Sequence, residues 1–547
     1  MLNTYQFPTF PYVQSEEQRT GQRVRKPVIV VGAGPVGLTA ALDCAHHGLP
    51  VVVLDDNDTV SVGSRAVCYA KRALEIWDRL GCAGPMVDKG VVWKIGKVFR
   101  DERLVYQFDL LPEPGHKRPA FINLQQYHLE ETLIGRAAAL GNRIDLRWKH
   151  RVVGIAPAAD HVLLEVETPD GVFPIEADWV IACDGARSGL REALGLPFEG
   201  QAFQDRFLIA DVVMQADFPA ERWFWFDPPF HRNQSVLLHM QADNVWRIDF
   251  QLGWDADPEE EKTPERVIPR LKRMLGADTP FDLEWVSVYQ FACRQLDDFR
   301  HGRVLFAGDA AHQVSPFGAR GANSGVQDTD NLVWKLKLVL DGHAPDALLD
   351  SYSTERVAAA RDNLRTSTRS TDFITPKTAA SRAFRDATLD LAEHLPFART
   401  LVNSGRLSRP TPYRDSPLNT PDADADAFAD AMAPGTNCAD APVTRDGTAG
   451  WLLDALGDRF VALHFLGDDG AAPASDGLAD ADIPVTTVTV GRRGGDLVDA
   501  EGLAHARYDA AAGTTYLIRP DQYVAARWRT FDPARIAAAR DRAVART

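Results

Sequence analysis

The stretch at residues 26–48, KPVIVVGAGPVGLTAALDCAHHG, constrains this chain more than any other. Val28, Ile29, Val30 and Val31 form an apolar run of the kind buried on both faces of a sheet. Gly32, Gly34 and Gly37 follow at once in the spacing G-x-G-x-x-G, and a helix with Leu38, Ala41 and Leu42 begins there. A second apolar run, Val51 to Leu54, ends on Asp55 and Asp56. Gly32 permits a tight turn, Gly34 lets backbone approach a pyrophosphate, and Gly37 lets helix and sheet close on each other. The helix N-terminus then meets the phosphates, and an acid at the end of the second strand holds a ribose hydroxyl. The order predicts a dinucleotide site built from Gly32, Ala33, Gly34, Pro35, Gly37, Asp55 and Asp56. Asp55 directly follows the last apolar residue and is the preferred ribose ligand. Asp56 is either a second contact or simply solvated.

At 547 residues one core does not suffice, and roughly three to four domains are expected. A net charge of −16 argues against a general nucleic-acid or anionic-membrane binder. The six cysteines are scattered without a C-x-x-C pair, which argues against structural zinc or a disulfide framework and points to a cytoplasmic protein. The N-terminus has no apolar signal core, and no run approaches the ~18–20 apolar residues of a membrane span.

Three further stretches each read as a strand running into a loop. GSRAV at residues 63–67 carries Arg65. WVIACDGARSGLR at 179–191 carries Asp184. FAGDAAHQVSPFGARGANSGVQDTDNLVWKL at 306–336 keeps one acid, Asp309, among glycines and alanines before a helix that reads as amphipathic. Taken with the first motif, they resemble the single-component FAD aromatic hydroxylases, the class A flavoprotein monooxygenases. The G-x-G-x-x-G, D-G and G-D motifs match, as does G-D-A-A-H-x3-P-x4-G-x-N-x-G-x2-D-x2-N-L-x-W-K-L over residues 308–336. The resemblance covers about residues 27 to 370. It implies an α/β protein: a Rossmann-like FAD-binding domain, an inserted antiparallel-sheet substrate domain and a C-terminal thioredoxin-like domain. It also implies that Asp184, Gly308 and Asp309 bind FAD, Asp309 at the ribityl chain. Backbone around Pro316, Gly321, Ala322 and Asn323 would lie against the flavin ring, and the following helix would aim its positive end at the ring's pyrimidine edge. Arg65 matches the family arginine near flavin and substrate. Gln126, four residues before Glu130, matches a glutamine that contacts FAD, with Gln125 as the competing choice. His312 is read as structural.

The expected organisation is a polar tail over 1–26, an FAD domain over 27–200 and 290–370, and a substrate sheet over 200–290. A helical segment with an acidic linker follows over 371–434, and the thioredoxin-like domain occupies 435–547. That last domain resembles the tail of the phenol hydroxylase branch, notably at LIRPDQYVAARW. It lacks C-x-x-C and reads as a packing or dimer element. In NVWRIDFQL, Trp246, Ile248 and Phe250 share one face, while Arg247, Asp249 and Gln251 share the other. Arg65, Arg247, His239 and Tyr289 are the candidate substrate-site residues, with His231 as a further pocket candidate. For Arg247 the alternative is an ion pair with Asp249.

One dinucleotide fingerprint is filled by FAD, so NADH or NADPH must visit transiently, which suggests a mobile flavin. The resemblance implies that O2 adds at flavin C4a and that the hydroperoxide hydroxylates a phenol. Several stretches look closest to the 3-(3-hydroxyphenyl)propionate hydroxylase branch, which points to a small aromatic acid. A larger polyketide-type phenol is the alternative. A flavin halogenase or reductase is a rival, but WFWFDP places Asp227 where the halogenase pattern W-x-W-x-I-P has Ile. A non-catalytic flavoprotein is the other. The expected partners are the phenol, O2 and a second copy in a homodimer, with no nucleic acid, no membrane and no metal.

Overall fold

The computed structural model describes residues 4–216, 218–402, 407–429, 431–467, 472–475 and 477–546. The apolar run at the start of the chain becomes the strand Arg25–Val31. It pairs in parallel with Val51–Leu54 on one side and with Gly171–Ala182 on the other, so that Val28 lies between Val51 and Trp179. Ile144–Arg147 and Val304–Phe306 extend the parallel sheet at its two sides. These strands are buried at almost every position because the crossover helix Pro35–His46 and the long helix Gly321–Leu340 cover them. The turn at Gly32 has φ +104°, and a Cβ there would sit 2.4 Å from the Cys183 carbonyl oxygen. Only glycine fits that crossing of backbones.

The second sheet has eight strands and is antiparallel apart from one parallel pair. Its centre is Glu199–Val213, flanked by Asp282–Gln295 and Val245–Leu252. Trp246, Ile248 and Phe250 face a core closed by Val267 and Leu271 of the helix Pro264–Leu275, as the alternation predicts. The sheet is larger than residues 200–290 alone provide. Ile95–Arg100 and Arg103–Asp109 complete one edge, folded into a tight hairpin at Asp101, which takes φ +54°. Their short alternating runs lie more than a hundred residues upstream of the strand they join, a pairing that local periodicity does not reveal.

A third, seven-stranded mixed sheet occupies the C-terminal part. It packs on the long helix through Trp334, which meets Phe460 edge to face. That helix is therefore buried continuously from Asn323 to Leu336 rather than amphipathic. The acidic stretch at 421–434, which includes residue 430 outside the described residues, lies against this sheet. Asp422 pairs with Arg527 at 2.7 Å, and Phe428 sits under Arg527 and Arg529. The N-terminal segment is docked too, with Phe10 stacked on Trp148 and Tyr5 on Tyr127. Among the described residues no helix is long and apolar enough to cross a membrane, and no cluster of three metal-ligating side chains occurs.

Candidate flavin and substrate site

The glycine turn opens on free space. Gly34 caps the helix Pro35–His46 without a side chain, and a Cβ there would meet nothing within 4 Å. Asp55 reaches across this mouth and accepts hydrogen bonds from the N–H of Ala33 at 2.5 Å and of Asn57 at 2.9 Å. Asp56 stands beside it and accepts only from the Asn57 amide, at 3.0 Å. Burial, then the neighbouring Asp55 charge, pushes its pKa up. The mouth thus offers N–H dipoles and one well-placed carboxylate, the donor set a pyrophosphate and ribose require.

Two strand ends bring further acids to the same side. Asp184 accepts from Leu190 N–H at 3.0 Å through Oδ2, while its Oδ1 is buried with no partner among the described residues. An orphaned acceptor there fits a hydroxyl-bearing cofactor. Asp309 is exposed to water, yet burial by surrounding protein, and then Asp328, push its pKa up against the pull of His312. The carboxylate is thus accessible to solvent while closely surrounded by protein, as in a cleft. Asp328 fixes this corner: it accepts from Gly308 N–H at 2.9 Å, from His312 Nε2 at 2.7 Å and from Arg356 Nε at 2.6 Å. His312 is thereby held as a structural residue. Asp328 and Arg356 escaped the sequence analysis, although Asp328 is the D of the long glycine-rich motif.

Beyond that corner the long helix begins without a side-chain cap. A Cβ on Gly321 would lie 4.0 Å from Asp309 Oδ1, so the acid and the helix start share the space. Pro316 is exposed, and Gly318 and Ala319 both take positive φ, +100° and +53°. For alanine that conformation costs about 1–2 kcal/mol, and it keeps the loop clear of bulky side chains. Ala322 is half-buried at the second helical position. Asn323 spends its side chain on protein. It accepts from Ala70 N–H at 2.8 Å and donates to the carbonyls of Cys68 at 2.9 Å and Ala319 at 2.6 Å. What Asn323 leaves for a flavin is its backbone. Gln126 is likewise committed: its oxygen accepts from Ala66 N–H at 3.0 Å, and its nitrogen donates to Ser61 and Glu130. It positions the loop that carries Arg65. Gln125 is buried and donates to the Ala242 carbonyl at 2.9 Å.

The face of the second sheet opposite its core looks onto this loop. Arg65 is exposed, while Ser64 beneath it donates to the buried Asp211, whose pKa burial raises to about 7 against the pull of Arg247. Tyr289 is 43% accessible, but burial and then Asp309 push its hydroxyl pKa up to about 12, so it faces the same cleft. Arg247 takes the ion-pair alternative. Its Nε bonds Asp249 at 2.8 Å, and its Nη1 donates to the Ser64 carbonyl, so it holds the loop and is not free for a substrate. His239 is only 2% exposed and does not reach the space itself. His231 lies on the other face, bonded to the Gln251 carbonyl at 2.6 Å and edge-on to Phe250.

Comparison with known proteins agrees with this geometry. Residues 25–367, more than half of the chain, match the FAD binding domain family. The chain is 31% identical to 6-methylpretetramide 4-monooxygenase of Streptomyces rimosus over 526 residues, 91% of this chain and 90% of the relative. It is 29% identical to a 3-(3-hydroxy-phenyl)propionate/3-hydroxycinnamic acid hydroxylase of Mycolicibacterium smegmatis, over 69% of this chain and 66% of that one. In fold it is similar to the flavin-dependent monooxygenase PieE, solved with FAD and substrate. The TM-score is 0.82 at 22% identity, covering 96% of this chain and 100% of that chain. With its glycine turn, its strand-end acids and its long helix all opening on one space, the chain belongs to the FAD binding domain family as an FAD-dependent aromatic monooxygenase.

Proposed function

We propose that the chain hydroxylates a phenolic aromatic compound at the expense of NAD(P)H and O2. The observation that carries this reading is the cleft between the first two sheets, where Asp309 and Tyr289 are accessible yet closely surrounded by protein and where the fields of Arg65 and Arg247 reach the Tyr289 hydroxyl. FAD supplies the activation of O2 for transfer of one oxygen atom to an electron-rich ring. The chain's own residues do the rest. Asp55, Asp184 and Asp309 offer acceptors to cofactor hydroxyls, and the uncapped helix start offers N–H dipoles to negative charge. Phe207, Phe291 and Phe317 pack edge-on and tilted into an apolar wall that excludes water. The nicotinamide donor visits without a fingerprint of its own.

For the substrate we favour a small aromatic acid such as a hydroxyphenylpropionate, supported by the similarity to the Mycolicibacterium hydroxylase. A polyketide-type phenol is the second reading, favoured by the end-to-end similarity to the Streptomyces enzyme. The C-terminal sheet is read as thioredoxin-like and as a packing element. Homodimerisation is supported by exposed Phe384, Leu391, Phe397 and Leu401 on two consecutive helices and Leu395 between them, and sedimentation tests it. The test of function is a screen of monophenols for stimulated NAD(P)H oxidation, followed by product mass. A halogenase would instead need halide for product, and a non-catalytic flavoprotein would consume no donor with any phenol.

A further inference from the structure

Across the second sheet, Arg222 lies opposite His239, His239 opposite Arg247, and Arg247 opposite Asp211. Cross-strand partners point to the same face. The row therefore lies on the face that holds the Arg65 loop, away from the Trp246–Phe250 core. Arg247 and Asp211 answer each other and Ser64. The other two members of the row are not answered. Arg222 is half-buried and has no carboxylate partner among the described residues. Its contacts are the Cys68 thiol, 3.7 Å from Nη1, and the Trp93 ring, 5.9 Å away. His239 is 2% exposed, and its Nε2 has no hydrogen-bond partner among the described residues.

Trp93 Nε1 can only donate, and it does so to Asn123 Oδ1 at 2.7 Å, while Asn123 Nδ2 donates to the Met240 carbonyl at 2.8 Å. The Cys68 sulfur lies 3.1 Å from Asn123 Oδ1, to which its thiol can donate, accepts from Arg222 Nη1 and lies 3.7 Å from His239 Nδ1. Burial and the two flanking arginines hold the imidazole neutral. A neutral ring leaves the Arg222 charge uncompensated. The Cys68 carbonyl in turn accepts from Asn323 at the start of the long helix, so Cys68 links Arg222 to the helix start expected to face the flavin.

We propose that Arg222 is the substrate-recognition cation of this site, binding an ionised oxygen of the aromatic substrate, phenolate or carboxylate, with His239 behind it as a positioning residue. The proposal rests on the reading of the chain as a phenol hydroxylase. Arg222 makes no ion pair that its removal would break, so Arg222→Gln should fold and bind FAD. The experiment titrates holoenzyme with three probes and follows the flavin spectrum: 3-(3-hydroxyphenyl)propionate, its primary amide, and 4-nitrophenol on either side of its ionisation. Arg222→Gln should weaken ionised ligands about ten-fold or more and the neutral amide by less than about three-fold. Loss in the carboxylate arm alone assigns the carboxylate, and loss in the nitrophenolate arm alone assigns the phenolate. His239→Leu should raise KM for the same ionised ligand with kcat little changed, and His239→Asn, which keeps a polar group toward Cys68, should restore it. Equal effects of Arg222→Gln on ionised and neutral ligands, with phenol-stimulated NAD(P)H oxidation intact, would overturn the assignment and spare the hydroxylase reading. Wild type and variant that both ignore every phenol would overturn both.

Discussion

Along the long helix Gly321–Leu340, from Asp328 to Lys335, the buried charges meet opposite charges, whereas across the second sheet Arg222 does not. Lys335 bonds Glu355 at 2.8 Å, Glu355 takes both arms of Arg519, and Asp330 takes Arg72 and Arg79 at 2.8 Å each. Asp328 takes Arg356 in the same way. Burial alone would raise the Glu355 pKa, but Arg519 and Lys335 overcome it and hold the carboxyl well below its usual range. This network joins the FAD-binding part to the C-terminal sheet through Arg519 and Asp521, and each of its charges meets an opposite charge within the protein, although Arg72 Nε and Arg79 Nε and Nη1 make no hydrogen bond among the described residues. Arg222 is half-buried, and its charge meets no carboxylate among the described residues. A buried polar set that closes on itself is scaffold, and one left open is a place for something else to bind.

Breaking the closed set should have the largest effect. Glu355→Ala leaves Lys335 without its carboxylate and Arg519 with Asp521 alone, and should lower stability by about 3–5 kcal/mol in chemical unfolding of the holoprotein. A loss below about 1 kcal/mol would mean that the network contributes little. Next comes Asp211, at the boundary of the two sets. Its pKa is raised from 3.8 to about 7, so its contribution to stability is fully present below pH 4 and is lost as pH rises to 7. Asp211→Asn cannot titrate. Its stability relative to wild type should therefore improve across pH 4 to 7, on the order of 2–4 kcal/mol, and parallel pH curves would contradict this.

Smaller effects sharpen the contrast from the side of the open site. Asp309→Ala should weaken FAD binding about ten-fold or more by fluorescence titration, with the far-UV circular dichroism unchanged. Unchanged affinity would remove Asp309 from the cofactor site. The smallest change is the most telling: Arg222→Met should alter stability by no more than about 0.5 kcal/mol, while Arg72→Met should cost about 3 kcal/mol. Equal losses would erase the distinction between the two sets.

The parts of the site that lie along the chain were legible in it. The glycine turn, Asp55, and the Gly308–Asp309 strand end follow from residue order, because each is a local strand-to-loop event. The faces of Val245–Leu252 follow from alternation. What sequence could not assign is which polar side chains have partners. Arg247 and Arg222 are both arginines on the same face of two strands separated by the strand of His239, and only the folded structure shows that one is paired and the other is not. Gln126 and Asn323 match a pattern associated with FAD, yet each side chain bonds protein that lies tens to hundreds of residues away. The long helix looked amphipathic because its charged residues were expected in water. Their partners Arg72, Glu355 and Arg519 come from elements that meet only in the folded chain.

The most direct test of the account is hydroxylation under isotopically labelled oxygen gas. Purified holoprotein is given NADH or NADPH and the phenol that best stimulates donor oxidation, and the product is weighed by mass spectrometry. The account predicts one labelled oxygen on the aromatic ring for each donor consumed in coupled turnover. Donor consumption that yields only hydrogen peroxide with every phenol tried, or a product whose new oxygen comes from water, would contradict it.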